Sequence, residues 1–131
     1  MNTSLPILVL DDSRTMTTII GRLAGEVGFT NIDQVHDGIS ALGRLREKPY
    51  GLVPSDWDMR PMNGTEFAQQ VRKDPAIASI PIIMITAKAD ADEAWLSGAD
   101  GFLTKPFKAA DLREKIEEVL SQREDAPPLA G

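Results

Sequence analysis

Residues 5–12 read Leu5-Pro6-Ile7-Leu8-Val9-Leu10-Asp11-Asp12, an apolar run that ends in two acids. A short continuous apolar run of this kind is typical of a strand buried on both faces of a parallel sheet. A second run, residues 51–55, ends in the same way at Asp56. Because the carboxyl ends of parallel strands converge on one crevice, we expect the three acids to share a site.

Three carboxylates held this close repel one another, and the repulsion destabilises the fold unless a cation or shared protons relieve it. Oxygen ligands favour a hard divalent ion, and Mg²⁺ is the cation that we expect here. Lys105 follows a further apolar segment, residues 102–104. If Lys105 also lies at the carboxyl end of a strand, it would add one positive charge to the site and leave room for a phosphoryl group.

Along the rest of the chain, apolar segments alternate with segments of helical period, which predicts five β-α units and a mostly parallel sheet. Met16, Ile20 and Leu23 share one face of a helix that Gly28 is placed to end. The predicted strands are residues 5–10, 32–35, 51–55, 81–85 and 101–103. The predicted helices are residues 16–27, 41–45, 63–74, 92–96 and 109–120.

Length and composition limit the classes of protein. The chain has 131 residues and no cysteine, which predicts one domain without disulfides or thiolate metal sites. We expect residues 1–122 to form it, residues 123–131 to be a disordered tail, and no output domain to be present. No apolar run approaches a bilayer span, so the protein is expected to be soluble and cytoplasmic, with no membrane partner. The formal net charge of −6 disfavours binding to nucleic acid.

Four motifs follow one another in a fixed order. They are Leu8-Val9-Leu10-Asp11-Asp12-Ser13, Ser55-Asp56-Trp57-Asp58-Met59 with Met62-Asn63-Gly64, Ile83-Met84-Ile85-Thr86-Ala87, and Gly98-Ala99-Asp100-Gly101-Phe102 leading into Thr104-Lys105-Pro106-Phe107. Over residues 5–120 the chain resembles the receiver domain of bacterial two-component response regulators, in particular its single-domain, CheY-like members. The resemblance implies an α/β, flavodoxin-like (βα)5 fold, doubly wound, with five parallel strands in the order 2-1-3-4-5.

The resemblance also implies a reaction and a metal site. Asp56 is implied to be the phosphoacceptor, whose carboxylate attacks the phosphorus of a phosphohistidine and forms an acyl phosphate. Asp12 and Asp56 would ligate Mg²⁺ directly, Asp11 through water, and the backbone carbonyl of Asp58 would supply a further oxygen. Such a protein is not an enzyme, beyond its own phosphorylation and autodephosphorylation.

Further residues of the resemblance concern the phosphoryl group and the signal. Lys105 and Thr86 are implied to contact phosphoryl oxygens and to stabilise the charge on them. Thr86 and Phe102 are implied to form the switch, in which the hydroxyl moves to the phosphate and the ring turns inward. The Lys105–Pro106 peptide bond is expected to be cis.

The implied partners are proteins. A histidine kinase or histidine phosphotransfer protein would donate the phosphoryl group, and a downstream protein target, which the sequence does not name, would receive the signal. The free chain is expected to be a monomer, and dimerisation on phosphorylation is left open.

Three features depart from the family pattern. Pro54 stands in a predicted central strand, where it removes a hydrogen-bond donor and predicts a bulge or a local break. The segment between Thr86 and Gly98 is short, so the fourth helix is expected to be short, shifted or partly unwound. Arg60-Pro61 replaces the usual order in which proline directly follows the methionine, and predicts a different path for that loop.

Other interpretations remain open at this point. Taken alone, the acid pair at residues 11–12 suits a helix cap or turn, and Thr86 suits a hydroxyl that bonds to backbone. A haloacid-dehalogenase-type phosphatase is a weaker alternative, since Asp56-Trp57-Asp58 has its D-x-D spacing but not its following residues. The main alternative is a receiver-like interaction module that does not signal by phosphate, which the rule-breaking Pro54 favours.

Overall fold

Five parallel strands form one sheet in a computed structural model that describes residues 1–92 and 97–125. The strands are β1 (Ile7–Leu10), β2 (Ile32–Val35), β3 (Val53–Asp56), β4 (Ile82–Ala87) and β5 (Gly101–Lys105). Their spatial order is β2-β1-β3-β4-β5. The chain changes direction along the sheet between β1 and β3, and sheets of this type open a crevice at such a point. The fold class and strand order predicted from sequence are confirmed.

The helices begin and end at residues that suit helix termini. The described residues contain α1 (Arg14–Val27), α2 (Gly38–Glu47), α3 (Gly64–Lys73), α4 (Ala109–Asp125) and a 3₁₀ turn (Lys88–Asp90). The hydroxyl of Ser13 accepts the N–H of Met16 at the start of α1, which ends at Gly28 with φ 123°. Asn63 and Glu66 form the capping box predicted for α3.

The last helix differs from the prediction at one end. It begins at Ala109, as expected, and the carboxylate of Asp111 accepts the N–H of Lys108 there at 2.9 Å. It continues through Asp125, so residues 123–125 are helical and not part of a tail. The helix predicted at residues 92–96 lies mainly on residues 93–96, which are outside the described residues. Residues 126–131 are also outside the described residues. No helix in the described part of the chain is long and apolar enough to cross a membrane.

Apolar side chains pack on both faces of the sheet. Leu8 and Met84 belong to the cluster under α2 and α3. Ile7 and Ile83, their neighbours in sequence, belong to the cluster under α1 and α4. Because alternate residues of a strand point to opposite faces, a sheet covered on both sides needs continuous apolar strands. This explains the unbroken apolar runs in the sequence and leaves the strand ends for polar groups.

Pro54 is buried in β3 and interrupts pairing on one side only. Toward β4 the pairing is continuous along the whole strand, with no extra residue. Toward β1 it is reduced to Leu10 opposite Ser55 and an isolated bridge between Ile7 and Leu52. Proline lacks the N–H that a ladder between these positions needs. The predicted local break is therefore present on the β1 side, and the predicted bulge is absent.

Candidate functional site

The carboxyl ends of three strands bring charged side chains to one place. Asp11 directly follows β1, Asp56 is the last residue of β3, and Lys105 is the last residue of β5. Carboxylate oxygens of Asp11, Asp12 and Asp56 all lie within 4.8 Å of one another. Asp11 and Asp56 are buried and Asp12 is exposed. The structure thus brings together the three acids that the sequence predicted to form a metal site.

Local backbone interactions hold these acids in position. The N–H of Ser13, the residue that caps α1, donates to Oδ1 of Asp11 at 2.9 Å. Asp56 lies opposite Ile85 in the β3–β4 pairing, and the N–H of Trp57 donates to the carbonyl of Ile85 at 2.9 Å. Asp11 is therefore fixed by a helix start, and Asp56 by the sheet itself.

Burial makes the negative charge of the site unfavourable. It raises the pKa of Asp11 to about 6, a rise that the charges of Asp56 and Asp12 reinforce and the N–H of Ser13 opposes. Burial likewise raises the pKa of Asp56, against the opposing effect of Lys105. Without a cation, the ionised forms of Asp11 and Asp56 are therefore less favourable in this site than those of carboxyls in water.

The donor set fits a divalent cation. Oδ2 of Asp11 is buried and is the only such side-chain atom without a hydrogen-bond partner in the described part of the chain. A buried polar atom without a partner destabilises a fold unless something binds it. Three carboxylates within 4.8 Å are the hard oxygen ligands that Mg²⁺ prefers. Asp11, Asp12 and Asp56 are the residues that would hold it.

Lys105 contacts the most central acid directly. Its Nζ donates to Oδ1 of Asp56 at 3.1 Å, and the Asp56 side chain is only 6 % exposed. The Lys105–Pro106 bond is cis, as predicted, and Arg60–Pro61 is a second cis bond that the sequence did not predict. A nearly buried carboxylate thus has one cation at 3.1 Å and two further acids within 4.8 Å. This arrangement suits a nucleophile that must receive a group with several negative oxygens.

A profile of the family "Response regulator receiver domain" matches residues 7–117, most of the chain. The chain belongs to the response regulator receiver domain family. This assignment confirms the resemblance drawn from the four motifs. It also leaves the haloacid-dehalogenase alternative without support, because the D-x-D spacing at Asp56 lies in a receiver.

Two chemotaxis proteins are among the similar curated proteins. "Chemotaxis protein CheY-3" of Vibrio cholerae serotype O1 is 34 % identical over 125 residues, which cover 93 % of this chain and 96 % of that protein. "Chemotaxis protein CheY" of Pseudomonas aeruginosa is 37 % identical over 121 residues, which cover 90 % of this chain and 98 % of that protein. The chain is therefore a CheY-like receiver.

A solved structure adds an observation about the metal. The receiver domain of a sensor histidine kinase from Pseudomonas aeruginosa PAO1 was determined with a magnesium ion coordinated in its active site cleft. It is 26 % identical, the TM-score is 0.78, and the match covers 92 % of this chain and 96 % of that one. That receiver therefore binds Mg²⁺ in its active site cleft.

Thr86 is buried near the end of β4 and directly follows Ile85, the residue that pairs with Asp56. Its Cα pairs with that of Thr104 in β5, one position beyond the pairing of Ile85 with Leu103. Its hydroxyl donates to the carbonyl of Ala87 at 3.1 Å. The structure therefore shows the backbone-bonded arrangement of this hydroxyl, and its contact with a phosphoryl oxygen stays a prediction.

Phe102 is partly buried and packs against the cluster under α2 and α3. It lies opposite Met84 in the β4–β5 pairing, two positions before the pairing of Thr86 with Thr104. Because side chains two apart share a face of a sheet, Thr86 and Phe102 point to the same side. This placement is compatible with the predicted switch, which stays a prediction.

The loop after Asp56 contains features that sequence reasoning did not resolve. The indole of Trp57 donates to the hydroxyl of Thr65 at 2.9 Å, so the ring is tied to the start of α3. Asp58 has an exposed side chain, and its charge is among the influences that raise the pKa of Asp56. The role of its backbone carbonyl as a metal ligand stays a prediction.

Arg60 is the residue at this site that the sequence did not assign to it. Its backbone N–H donates to Oδ2 of Asp12 at 3.3 Å, which places the residue at the edge of the acid cluster. The only sequence signal was the unusual Arg60-Pro61 order, which predicted a changed loop but not this contact.

Proposed function

We propose that this protein is a stand-alone response regulator that accepts a phosphoryl group on Asp56 with Mg²⁺ and signals by phosphorylation-dependent contact with another protein. The observation that carries the proposal is the convergence of Asp11, Asp12 and Asp56 within 4.8 Å, with Nζ of Lys105 at 3.1 Å from Asp56. The match over 96 % of the CheY-3 relative supports the CheY-like character of the receiver.

The proposed donor is the phosphohistidine of a histidine kinase or phosphotransfer protein. An Asp56 oxygen attacks the phosphorus in line, and a new P–O bond forms as the P–N bond breaks. The imidazole leaves with the electrons of that bond, and it leaves neutral when its other nitrogen carries a proton. When bound, Mg²⁺ supplies positive charge to the phosphoryl oxygens. Lys105 pairs with a phosphoryl oxygen, and Asp11, Asp12 and Asp56 would hold the metal.

A surface beside the site is suited to contact with a donor protein. An apolar groove of about 260 Å³ runs between α1 and the loop after β5, and Lys105 forms part of its wall. The other lining residues are Met16, Ile19, Leu23, Pro106 and Phe107. A protein covering this groove would exclude water next to Asp56, and water exclusion strengthens the electrostatic interactions of the transfer step.

The output step follows from the positions of Thr86 and Phe102. On phosphorylation the Thr86 hydroxyl exchanges its bond to the Ala87 carbonyl for one to the phosphoryl group. The space that it leaves admits the ring of Phe102, which shares the same side of the sheet. Such an exchange changes the surface around β5 and shifts the population of two packing arrangements.

Intact-mass measurement after incubation with acetyl phosphate tests the proposal. The wild type is expected to gain one phosphoryl group with Mg²⁺ and none with a chelator, while acetate leaves with the electrons of the broken P–O bond. Asp56→Asn is expected to gain none. Asp58→Asn is the matched control, because Asp58 is an exposed acid two residues away that should still permit uptake.

The alternative is an interaction module that does not use phosphate. The interrupted β1–β3 pairing at Pro54 is the observation that favours it. A folded wild-type protein that gains no phosphoryl group with Mg²⁺ would support this alternative. Repeated turnover of acetyl phosphate, without a stoichiometric adduct, would instead contradict our proposal that the protein is an acceptor and not an enzyme.

A further inference from the structure

Arg60 lies beside Asp12, one of the residues that would hold the metal, and the proposed reaction gives Arg60 no role. Its backbone N–H is 3.3 Å from Oδ2 of Asp12, an acid whose oxygens lie within 4.8 Å of those of Asp11 and Asp56. The residue is exposed, so its long side chain extends into the solvent from which phosphoryl donors arrive.

The guanidinium of Arg60 has no ion-pair partner within residues 1–92 and 97–125. The ion pairs found there involve Arg46, Arg72 and Arg113 and three lysines, and the hydrogen bond of Arg60 to Asp12 uses the backbone. A guanidinium stays charged at any physiological pH and presents several donors that match phosphate oxygens. Arg60 therefore retains its capacity to bind an anion.

The site carries more negative than positive charge, so an additional cation would help an anionic donor to approach. Asp11, Asp12, Asp56 and Asp58 bring four acids, against the one cation of Lys105. A phosphoryl donor is itself an anion and is repelled by such a cluster, even when a divalent ion relieves part of the charge. A second fixed cation at the edge of the cluster would counter this repulsion where the donor enters.

We propose that Arg60 is a specificity-determining residue for the phosphoryl donor, which it selects by attracting the anionic charge of the transferred group. The inference rests on the proposed function, because it assumes that Asp56 accepts a phosphoryl group. Arg60 favours donors that carry two negative charges, such as acyl phosphates, over donors that carry one. Lys105 contacts Asp56 in the absence of a donor, whereas Arg60 acts on the donor as it approaches.

The same charge acts in the opposite direction on the metal. A fixed cation near Asp12 repels Mg²⁺, so removal of the Arg60 charge strengthens metal binding while it weakens the attraction of the donor. If Arg60 had a purely structural role, its removal would not strengthen metal binding while weakening the attraction of the donor. The backbone hydrogen bond to Asp12 remains in any side-chain variant other than proline, so the loop keeps this contact.

The experiment compares wild type with Arg60→Gln and Arg60→Lys. Uptake rates are measured by intact mass with acetyl phosphate, a dianion, and with phosphoramidate, a monoanion at neutral pH. Mg²⁺ affinity is measured separately by calorimetry without a donor. Arg22→Gln is the matched control, since Arg22 is exposed on α1 and lies roughly 13 Å beyond its start at 1.5 Å per residue.

Coulomb's law in water, at roughly 8 Å, gives about a 2.4-fold effect for each charge of the ligand. For Arg60→Gln we therefore expect about fivefold slower uptake from acetyl phosphate, about twofold slower uptake from phosphoramidate, and about fivefold tighter Mg²⁺ binding. Arg60→Lys restores wild-type behaviour and Arg22→Gln changes nothing. All differences shrink in roughly 1 M salt, where the screening length is about 3 Å.

Two results would overturn the inference. One is an Arg60→Gln variant that matches wild type with both donors. The other is a variant slowed equally with both donors and with unchanged or weaker Mg²⁺ binding, which would indicate a structural role. Failure of the proposed function looks different, because wild type itself would then gain no phosphoryl group from either donor.

Discussion

Asp11 shows how a single side chain connects the stability of this protein to its metal site. The residue is 1 % exposed. One carboxylate oxygen accepts the N–H of Ser13, and the other has no hydrogen-bond partner among the residues that the structure describes. Burial raises its pKa to about 6, so the ionised form destabilises the folded state. A group with this behaviour has a measurable effect on pH-dependent stability and on the response to Mg²⁺.

Asp11→Asn is predicted to stabilise the metal-free protein at neutral pH by up to about 3 kcal/mol, from about two pKa units at 1.36 kcal/mol each. The folded pKa of about 6 lies above the unfolded value near 4. Between these values the folded state binds more protons, so wild-type stability falls as pH rises from about 4 to about 6 and stays lower above that. Asparagine retains the acceptor for Ser13 and removes the charge.

Urea unfolding at a series of pH values, with a chelator present, measures this difference. The gap between variant and wild type is expected to be small at pH 4 and full at neutral pH. Added Mg²⁺ should stabilise the wild type more than the variant, because a ligand that binds only the folded state stabilises it. A gap that does not change with pH would contradict the assignment to Asp11.

Lys105→Met is predicted to slow uptake from acetyl phosphate by about 100-fold, the scale seen when one donor to a developing oxyanion is removed. The variant loses the contact with Asp56 at 3.1 Å and with it the main influence that opposes the rise in the pKa of that acid. Initial rates by intact mass measure the effect. Lys115→Met is the control, since Lys115 pairs with Glu118 on α4, and an equal loss there would contradict a specific role for Lys105.

At the level of elements, the junction between β3 and α3 shapes the site. The carbonyl of Trp57 accepts the N–H of Gly64 at 2.7 Å, and the indole of Trp57 donates to Thr65. A Cβ on Gly64 would lie 2.6 Å from Sδ of Met84 and 2.8 Å from Cα of Trp57. The glycine therefore permits a close approach of α3 to the strand end that carries Asp56.

Gly64→Ala is accordingly predicted to destabilise the protein by about 1–3 kcal/mol through overpacking. Gly43→Ala is the matched control. It lies within α2, and its added Cβ would meet nothing within 4 Å, so it should stabilise by about 0.5–1 kcal/mol through helix propensity. Urea unfolding of both variants measures the predicted loss of stability in Gly64→Ala and the predicted gain in Gly43→Ala. A Gly64→Ala protein as stable as wild type would show that the junction can relax.

The elements also show what the sequence can and cannot predict. The apolar runs and capping residues predicted the strands and the starts of α3 and α4, because these signals are local. The same signals ended β3, β4 and β5 too early, since Asp56, Ala87 and Lys105 are held in their strands by pairing with neighbours. Likewise α4 extends to Asp125, beyond Leu120, the last residue of the apolar pattern that predicted this helix.

The site was predictable to the extent that parallel strands share one end. The sequence placed Asp11, Asp12 and Asp56 together by that rule, and the structure has them within 4.8 Å. The contact of Arg60 with Asp12 was not predictable, because it depends on the path of a loop that contains a cis proline bond. The bond of Trp57 to Thr65 was missed for the same reason.

At the level of the whole molecule, the surface and charge predict the state of association. The large apolar side chains that are exposed in the described residues are Met1 and Ile39, which are far apart in sequence. The formal net charge is −6, and like-charged molecules repel. We predict that the unphosphorylated protein sediments as a monomer at micromolar concentration. A concentration-dependent dimer without phosphorylation would contradict this prediction.

Asp56 of this CheY-like receiver is the residue that we propose to carry the phosphoryl group. Borohydride reduces an acyl phosphate to an alcohol, so treatment of the protein after incubation with acetyl phosphate and Mg²⁺ should convert the modified aspartate to homoserine. Peptide mass mapping then locates the change. We predict homoserine at position 56 alone, and none after incubation with a chelator. Homoserine at Asp11, Asp12 or Asp58, or at no position in a folded protein, would contradict the assignment of Asp56 as the phosphoacceptor.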